Sequence, residues 1–508
     1  MNDLPQIVAT NQKTWINRHE NFVQPLDNIY DIANGETDSL LNDYNNTTVA
    51  VQHFILQATN EGKSVRGLGG GWSFSKVAAT NGRLMNTKMM NMVFNILPES
   101  ISSSYQGDRS QLLFAQCGNS IQELHLFLNN KGKSLKTCGA SNGQSIVGAF
   151  STGTHGSAYE FGATEDFIVS LHIILSPTRH ILLERASYPV ASDAFVSKIN
   201  AELVRSDDLF NAALVSFGNF GFIHGVILES ETIFLLESFR RRMPLDDKLK
   251  SLMETLDFNN APPLPHGTER PFHFQVLINP YDLAKGAYVT TMYKRPFKTG
   301  YTPPPPSTNK AGPGDGAAEF LGKLFDVAAP LIPPLVNLLI NSEYAPYESQ
   351  FGTLNEIFNT SDTRGKVMSA AMGIPLDSVN KVTDMLLTLN SNPATMFAGV
   401  FAFRYVRKSA ATLGFTKFGP ATCVLELDGV FSQNTLTFYD AVWNKMDELN
   451  IPYSFHWGKL NNLNDAKIRH IYGNNRTAWV NARNQLLPPA SRSLFSNEAL
   501  VTMGLDKL

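Results

Sequence analysis

The chain predicts an α+β fold in more than one domain, and three observations carry that expectation. Helix-period and strand-like apolar patterns alternate over roughly residues 44 to 235, glycine-rich loops interrupt the alternation three times, and the composition changes near Phe239. At 508 residues there is room for two to four domains of usual size around a large buried core.

The elements follow in order. Val51, Phe54, Ile55 and Ala58 recur at i, i+3, i+4 and i+7, the stripe of an amphipathic helix that ends near Glu61 and Gly62. The first glycine loop, Arg66-Gly-Leu-Gly-Gly-Gly-Trp-Ser73, comes directly after it. Leu112 to Ala115 reads as a strand, and Ile121, Leu124, His125 and Leu128 form the next helical face, closed at Gly132. Further strands are expected at Phe167 to Leu175, Ile181 to Leu183 and Val226 to Glu229.

Beyond Phe239 a second domain begins. Arg240-Arg-Arg242 reads as a solvated turn, and Pro303 to Pro306 with Gly312 to Gly316 marks an irregular surface insertion at about 300–316. Leu324 to Ile340 is apolar, but Asp326, Pro330, Pro333 and Pro334 interrupt it, so it falls short of a spanning helix and reads as a buried or cleft-lining helix pair, with a membrane-surface contact as the alternative. Strands are expected at Val400 to Val406 and Thr422 to Leu427. The last segment carries the compact cluster His456-Trp-Gly-Lys459 and a helix through Trp479 and Arg483. The division is therefore 1–235 with a core at about 44–235, then 236–455, then 456–508 as a segment returning to the first domain.

Composition removes several classes of function. Charged residues make up 17% and the formal net charge is −3, which leaves no broad positive field for nucleic acid. Cys117, Cys138 and Cys423 supply neither a disulfide framework nor a C-x-x-C metal site. The N-terminus lacks the basic start and apolar run of a secretory signal, so a reducing, cytoplasmic setting without a transmembrane segment is expected.

The chemistry sits in the loops. Eight of the thirteen residues from Ser145 to Ser157 are Gly, Ser or Thr, a run that leaves successive backbone N–H groups bare and able to form a concave nest for an anion. In the first loop, G-x-G-x-x-G read from Gly67 puts Trp72 at the third glycine, and no Gly-Lys-Ser/Thr follows to make a P-loop. An ordinary tight turn is the alternative for any single loop. Three such loops, the third at Ser216 to Ile223, point instead to one long anionic ligand.

Set together, these stretches resemble the vanillyl-alcohol oxidase/PCMH flavoprotein family, in particular its aldonolactone and alditol oxidase branch. That branch shows V-x-V-x-G-G-G-H-S, then G-A-x-S/D leading to T-G-T-H-G, then G-x-L-G-x-I, and near its end H-W-G-K. Here stand Val65 to Ser73, Gly139-Ala-Ser-Asn142 leading to Thr152-Gly-Thr-His-Gly156, Gly218 to Ile223, and His456 to Lys459. Order and spacing agree from Trp15 to Asn497, while about 240–395 matches weakly and is enlarged. The resemblance implies a PCMH-type FAD-binding domain of two α+β subdomains, and an α+β cap domain with an antiparallel sheet that binds substrate. It implies FAD contacts at Arg66, Gly67, Leu68, Gly69, Gly70, Gly71, Trp72 and Ser73, and at Gly139, Ala140, Ser145, Gly148, Thr152, Gly153, Thr154, His155, Gly221 and Ile223.

Two departures and one match shape the expected activity. Trp72 occupies the position of the histidine that carries covalent flavin in relatives, and an indole has no imine nitrogen for that bond, so FAD is expected to be non-covalent. A thioether through Cys138 is disfavoured by its distance in sequence from Gly148. Relatives carry Glu-x-Arg over the flavin where this chain has Ala402-Phe-Arg404, which removes the carboxylate and puts a sugar-lactone or alditol substrate in doubt relative to a bulkier apolar alcohol. Gly139 matches the small residue that leaves O2 a path. The implied function is an oxidase acting on a CH–OH group, with Arg404, Lys459, His456 and Gly139 as its catalytic set. A dehydrogenase with another acceptor and a flavin-binding protein with little turnover are the alternatives.

Overall fold

The computed structural model describes residues 4–304, 326, 328–358 and 366–507. The chain forms three principal sheets among these residues. The first joins β1 (Gln6–Ala9), β2 (Asn28–Ala33), β3 (Val65–Leu68) and β4 (Arg83–Met89) in the order β1-β2-β4-β3, with β4 parallel to both neighbours. Helix α1 (Leu40–Asn60) crosses over between β2 and β3. Ser39 caps its N-terminus by accepting from the Asn42 N–H, and Val51, Phe54, Ile55 and Ala58 are buried as their spacing predicts.

The second sheet has six strands, β5 (Val93–Asn95), β6 (Leu112–Gln116), β7 (Ile168–Ser176), β8 (Arg179–Glu184), β9 (Glu202–Arg205) and β10 (Phe222–Glu229), in the order β9-β8-β7-β10-β6-β5. All nine residues of β7 are buried, as befits a central strand covered on both faces. Two helices start at side-chain caps that fix where the glycine loops lie. α2 (Ile121–Asn129) opens with a Ser120/Glu123 capping box, and the short α3 (Ile146–Ser151) opens at Ser145, whose Oγ accepts from the Gly148 N–H at 3.3 Å.

The third sheet is antiparallel throughout its eight strands: β11 (Phe234–Met243), β12 (His273–Ile278), β13 (Ala287–Pro296), β14 (Tyr347–Gly352), β15 (Val367–Pro375), β16 (Gly399–Arg407), β17 (Ala421–Val430) and β18 (Ser454–Phe455). Their order is β14-β11-β13-β12-β16-β17-β15-β18. Helix α4 (Ile332–Glu343) packs on it through Ile332 and Val336 against Leu277, Val400 and Val430.

One expectation is corrected here. Arg240 to Arg242 is not a turn but part of β11, where Arg241 pairs with Glu348 at 2.7 Å and Arg242 with Asp282 at 3.5 Å. Glu348 on β14 and Asp282 in the loop between β12 and β13 meet those charges, so the run of like charge needs no loop to solvate it. Residues 305–316 of the expected insertion, and Leu324, Phe325 and Val327 of the apolar segment, lie outside the described residues.

The C-terminal helices return to the second sheet. Helix α5 (Asn474–Leu486) sends the Trp479 Nε1–H to the Val215 carbonyl and the Arg483 Nε–H to that of Asn219, both at 3.0 Å. No helix among the described residues is long and apolar enough to cross a membrane.

Candidate active site

A cavity of about 870 Å³ lies between the two glycine-loop sheets and the eight-stranded sheet. Arg66 to Ser73, Gly139, Ala140, Ser145, Gly148, Thr152, Thr154, His155, Gly221 and Ile223 line it, and so do Arg404, His456 and Lys459. Gly153 does not. Its φ of +78° and a Phe415 ring 3.0 Å from where its Cβ would lie show that it serves a left-handed turn against the cap. Cys138 is buried away from the lining, and it is Cys117 that reaches the wall.

The two glycine loops interlock. A Cβ on Gly69 would fall 2.0 Å from Ser145 Oγ, and one on Gly70 would fall 2.7 Å from the Gly143 carbonyl oxygen, so only bare backbone lets the loops meet. Arg66 anchors their base. Its guanidinium is buried, donates to Asn219 Oδ1 at 2.6 Å and to the backbone carbonyls of Val77, Phe217 and Phe495, and has no carboxylate partner among the described residues. Burial and the nearby Arg483 push its pKa down to about 9. An uncompensated buried cation in this wall fits an anionic ligand. Trp72 Nε1 and Ser151 Oγ, in residues of the same wall, are donors without a partner among the described residues. Together with the buried Arg66 charge, donors of this kind suit a diphosphate carried on a long ligand, which is what FAD presents.

Facing them, the cap sheet carries the charged chemistry. Register pairs Ala402 with Glu426 and Val400 with Asp428, so Glu426 and Asp428 lie on the same sheet face as Arg404. The absence of a carboxylate expected from Ala402 is thus corrected. Glu426, on the adjacent strand, approaches Arg404 Nε to 2.9 Å through Oε2 and His155 Nε2 to 3.6 Å through Oε1. The Arg404 contact is an ion pair whose N–H is not aligned as a hydrogen bond. Lys459 Nζ donates to Ser369 Oγ at 2.7 Å, and Ser369 in turn donates to Asp428 Oδ1.

The His456-to-Lys459 hairpin is pinned from both sides: the His456 N–H donates to the Ala371 carbonyl at 3.0 Å, and the Phe74 N–H donates to that of Gly458 at 2.7 Å. Burial drives the His456 imidazole well below its usual range, with His155 and Lys459 adding to the effect. His19, missed in the sequence, stacks on Phe74 with centroids 4.1 Å apart, and burial brings its pKa down to about 3. Glu426 and Asp428 were also missed. Their signal is two carboxylates at i and i+2 in an otherwise apolar strand, which places both on one face.

Gly139 lines the cavity, but its missing methyl does not leave a gap. A Cβ there would meet Thr154 Cγ2 at 2.9 Å, so the Thr154 methyl already fills that space. One wall of the cavity is apolar. Val336, Leu339 and Ile340 from one face of α4 line it together with Val400 and Val430.

Residues 45–182 match the FAD binding domain family. Over 434 residues the chain is 23% identical to L-gulono-1,4-lactone dehydrogenase of Mycobacterium tuberculosis, covering 82% of this chain and 86% of that one. It is 26% identical over 209 residues to D-arabinono-1,4-lactone oxidase of Debaryomyces hansenii, covering 40% of this chain and 34% of the relative. Among solved structures, cholesterol oxidase from Brevibacterium sterolicum superposes with a TM-score of 0.67 at 12% identity, over 98% of this chain and 97% of that one. A xylooligosaccharide oxidase from Myceliophthora thermophila, in complex with xylobiose, superposes at 0.62 with 13% identity, over 97% of this chain and 95% of that one. The fold is that of the PCMH-type FAD oxidases, with mixed helix and sheet and an antiparallel cap.

Proposed function

With an FAD-binding domain at residues 45–182 as the premise, we propose that the protein is an FAD-dependent oxidase acting on the CH–OH group of a small-molecule alcohol or lactone, with O2 as acceptor and H2O2 as product. The observation that carries this reading is that one cavity brings a backbone anion cradle face to face with Arg404, Glu426, Asp428 and Lys459. FAD would supply hydride acceptance. The N–H groups from Gly67 to Ser73 would hold its diphosphate, with the buried Arg66 charge behind them and the loop from Gly139 to His155 along the rest. Arg404 and His456 would orient the substrate oxygen, and Lys459 would add positive charge where reduction places negative charge.

Non-covalent attachment is part of the proposal, since Trp72 offers no imine nitrogen to the flavin. So is the division of labour, with 1–235 binding FAD, 236–455 capping the substrate and 456–508 completing the site from the first domain. Three free, buried cysteines suit a cytoplasmic setting. The relatives named above are lactone enzymes, yet the α4 face of Val336, Leu339 and Ile340 favours a substrate with an apolar body behind its polar CH–OH end. The Thr154 methyl beside Gly139 supports a second reading, a dehydrogenase with a non-oxygen acceptor.

The test is anaerobic titration of purified protein with sugar lactones, alditols and sterol-like alcohols while the flavin absorbance is followed, then admission of air. Bleaching by an alcohol with an apolar body, recovery in air and one H2O2 per turnover are expected. Bleaching that air does not reverse would favour the dehydrogenase, and no bleaching by any donor would remove the enzymatic reading.

A further inference from the structure

Oxidising a CH–OH group releases a hydroxyl proton as well as a hydride, and the cations Arg404 and Lys459 have no lone pair to accept it. His155 and Glu426 do. A carbonyl oxygen can only accept, so the 2.9 Å contact between His155 Nδ1 and the Gly156 carbonyl fixes a proton on Nδ1. Burial, reinforced by Arg404, pushes this imidazole down to about 3, so the ring is neutral and Nε2 keeps a bare lone pair. That lone pair lies 3.6 Å from Glu426 Oε1. Two acceptors held that close call for a donor between them.

His456, whose ring lies 5.6 Å from that of His155, has the opposite tautomer. The Gly458 N–H donates to its Nδ1 at 3.0 Å, which leaves the proton of the neutral ring on Nε2. One histidine of the cavity wall therefore offers a donor and the other an acceptor. Around the gap stand Arg404 and Lys459 as cations, Asp428 as an anion, and His273, His456 and Tyr344.

We propose that His155 Nε2 and Glu426 Oε1 together form the proton acceptor of the reaction, with the substrate hydroxyl donating into the gap between them. The C–H bond breaks and its electron pair leaves with the hydrogen to FAD, the O–H bond breaks and its proton passes to the pair, and the C–O bond becomes a carbonyl. This rests on the reading of the protein as an FAD-dependent alcohol oxidoreductase. It also gives a carboxylate set on the strand beside Ala402 a task that Arg404 cannot perform.

Two readouts test it on the FAD-loaded protein. The first is the ¹⁵N histidine NMR spectrum, which is expected to show His155 protonated on Nδ1 and bare on Nε2 from pH 6 to 8. The second is the pH profile of anaerobic flavin bleaching by an alcohol. Glu426→Gln keeps the shape and turns an acceptor into a donor toward Nε2, so the rate should fall on the order of 10²-fold or more. Its pH profile should also differ from that of the wild type. His155→Gln should fall by a similar factor, and the double variant by little more, because the two act as a unit. A proton on His155 Nε2, or Glu426→Gln bleaching at the wild-type rate with an unchanged pH profile, would overturn the proposal. If no alcohol bleaches the wild type, the functional reading fails, and the tautomer spectrum still judges the pair by itself.

Discussion

The two walls of the cavity are built on different principles. The FAD-side wall is made of backbone: Gly69 and Gly70 sit where a single added carbon would strike Ser145 or the Gly143 carbonyl, and the one buried charge is Arg66. The cap-side wall is made of side chains, with Arg404, Glu426, Asp428, Ser369 and Lys459 gathered from three strands and a hairpin. A wall defined by shape fails when an atom is added to it. A wall defined by charge fails when a charge is removed, with its shape intact.

That contrast yields ordered predictions. On the charged wall, Lys459→Met keeps the bulk of the stem while Ser369 can still donate to Asp428. Losing a preorganised charge of this kind is worth roughly 2–4 kcal/mol, so hydride transfer should slow by about 30-fold to several hundred-fold and the flavin midpoint potential should fall. Stopped-flow bleaching and a redox titration check this, and an unchanged rate and potential would put Lys459 outside the chemistry. On the shaped wall, Gly70→Ala drives a methyl against the Gly143 carbonyl oxygen and the Trp72 ring, each 2.7 Å from the new Cβ. Overpacking should cost about 1–3 kcal/mol, seen as lower flavin content and a lower melting temperature.

Where the walls meet, the Thr154 methyl already fills the space beside Gly139, so Gly139→Ala should act as overpacking, costing about 1–3 kcal/mol in stability while leaving reoxidation of reduced flavin nearly unchanged. The double variant with Thr154→Ser removes the methyl that the new Cβ meets, and should return the melting temperature toward the wild-type value. Reoxidation slowed about tenfold or more in Gly139→Ala, roughly 1.4 kcal/mol, would instead place an oxygen path at this position.

The smallest effect is expected far from both walls. His125 on α2 is fully buried, neither ring nitrogen has a partner among the described residues, and burial lowers its pKa to about 3. Its folded pKa lies below its unfolded value of 6.5, so its contribution to stability is present above pH 6.5 and is lost as pH falls toward 3. The loss is at most about 1.4 kcal/mol per pH unit for one histidine. His125→Leu should therefore flatten the acid side of a urea-unfolding stability profile by about one proton, without altering flavin bleaching. An unchanged slope would show that His125 is not held neutral.

The same contrast explains what the sequence revealed. A glycine loop writes its requirement locally, since bare backbone needs consecutive small residues, and an amphipathic helix such as α1 repeats its apolar stripe within two turns. Glu426 was invisible by that logic. It stands 24 residues after Ala402 in the chain and comes beside it only through the antiparallel register of β16 and β17. Gly153 misled in the opposite direction, because a glycine kept for its positive φ against Phe415 looks in sequence like one kept for a ligand. Arg240 to Arg242 looked like a solvated turn because the acids and rings that receive them, Glu348, Asp282, Tyr344 and Tyr347, are supplied by distant segments.

The central claim, that the shaped wall holds FAD through backbone and without a covalent bond, is tested most directly by acid precipitation of the purified protein followed by absorbance of the two fractions. The account predicts a colourless pellet and intact FAD in the supernatant at close to one per chain. Flavin retained on the pellet would contradict the assignment of Trp72, and a protein purified without flavin that takes none up from added FAD would contradict the cradle itself.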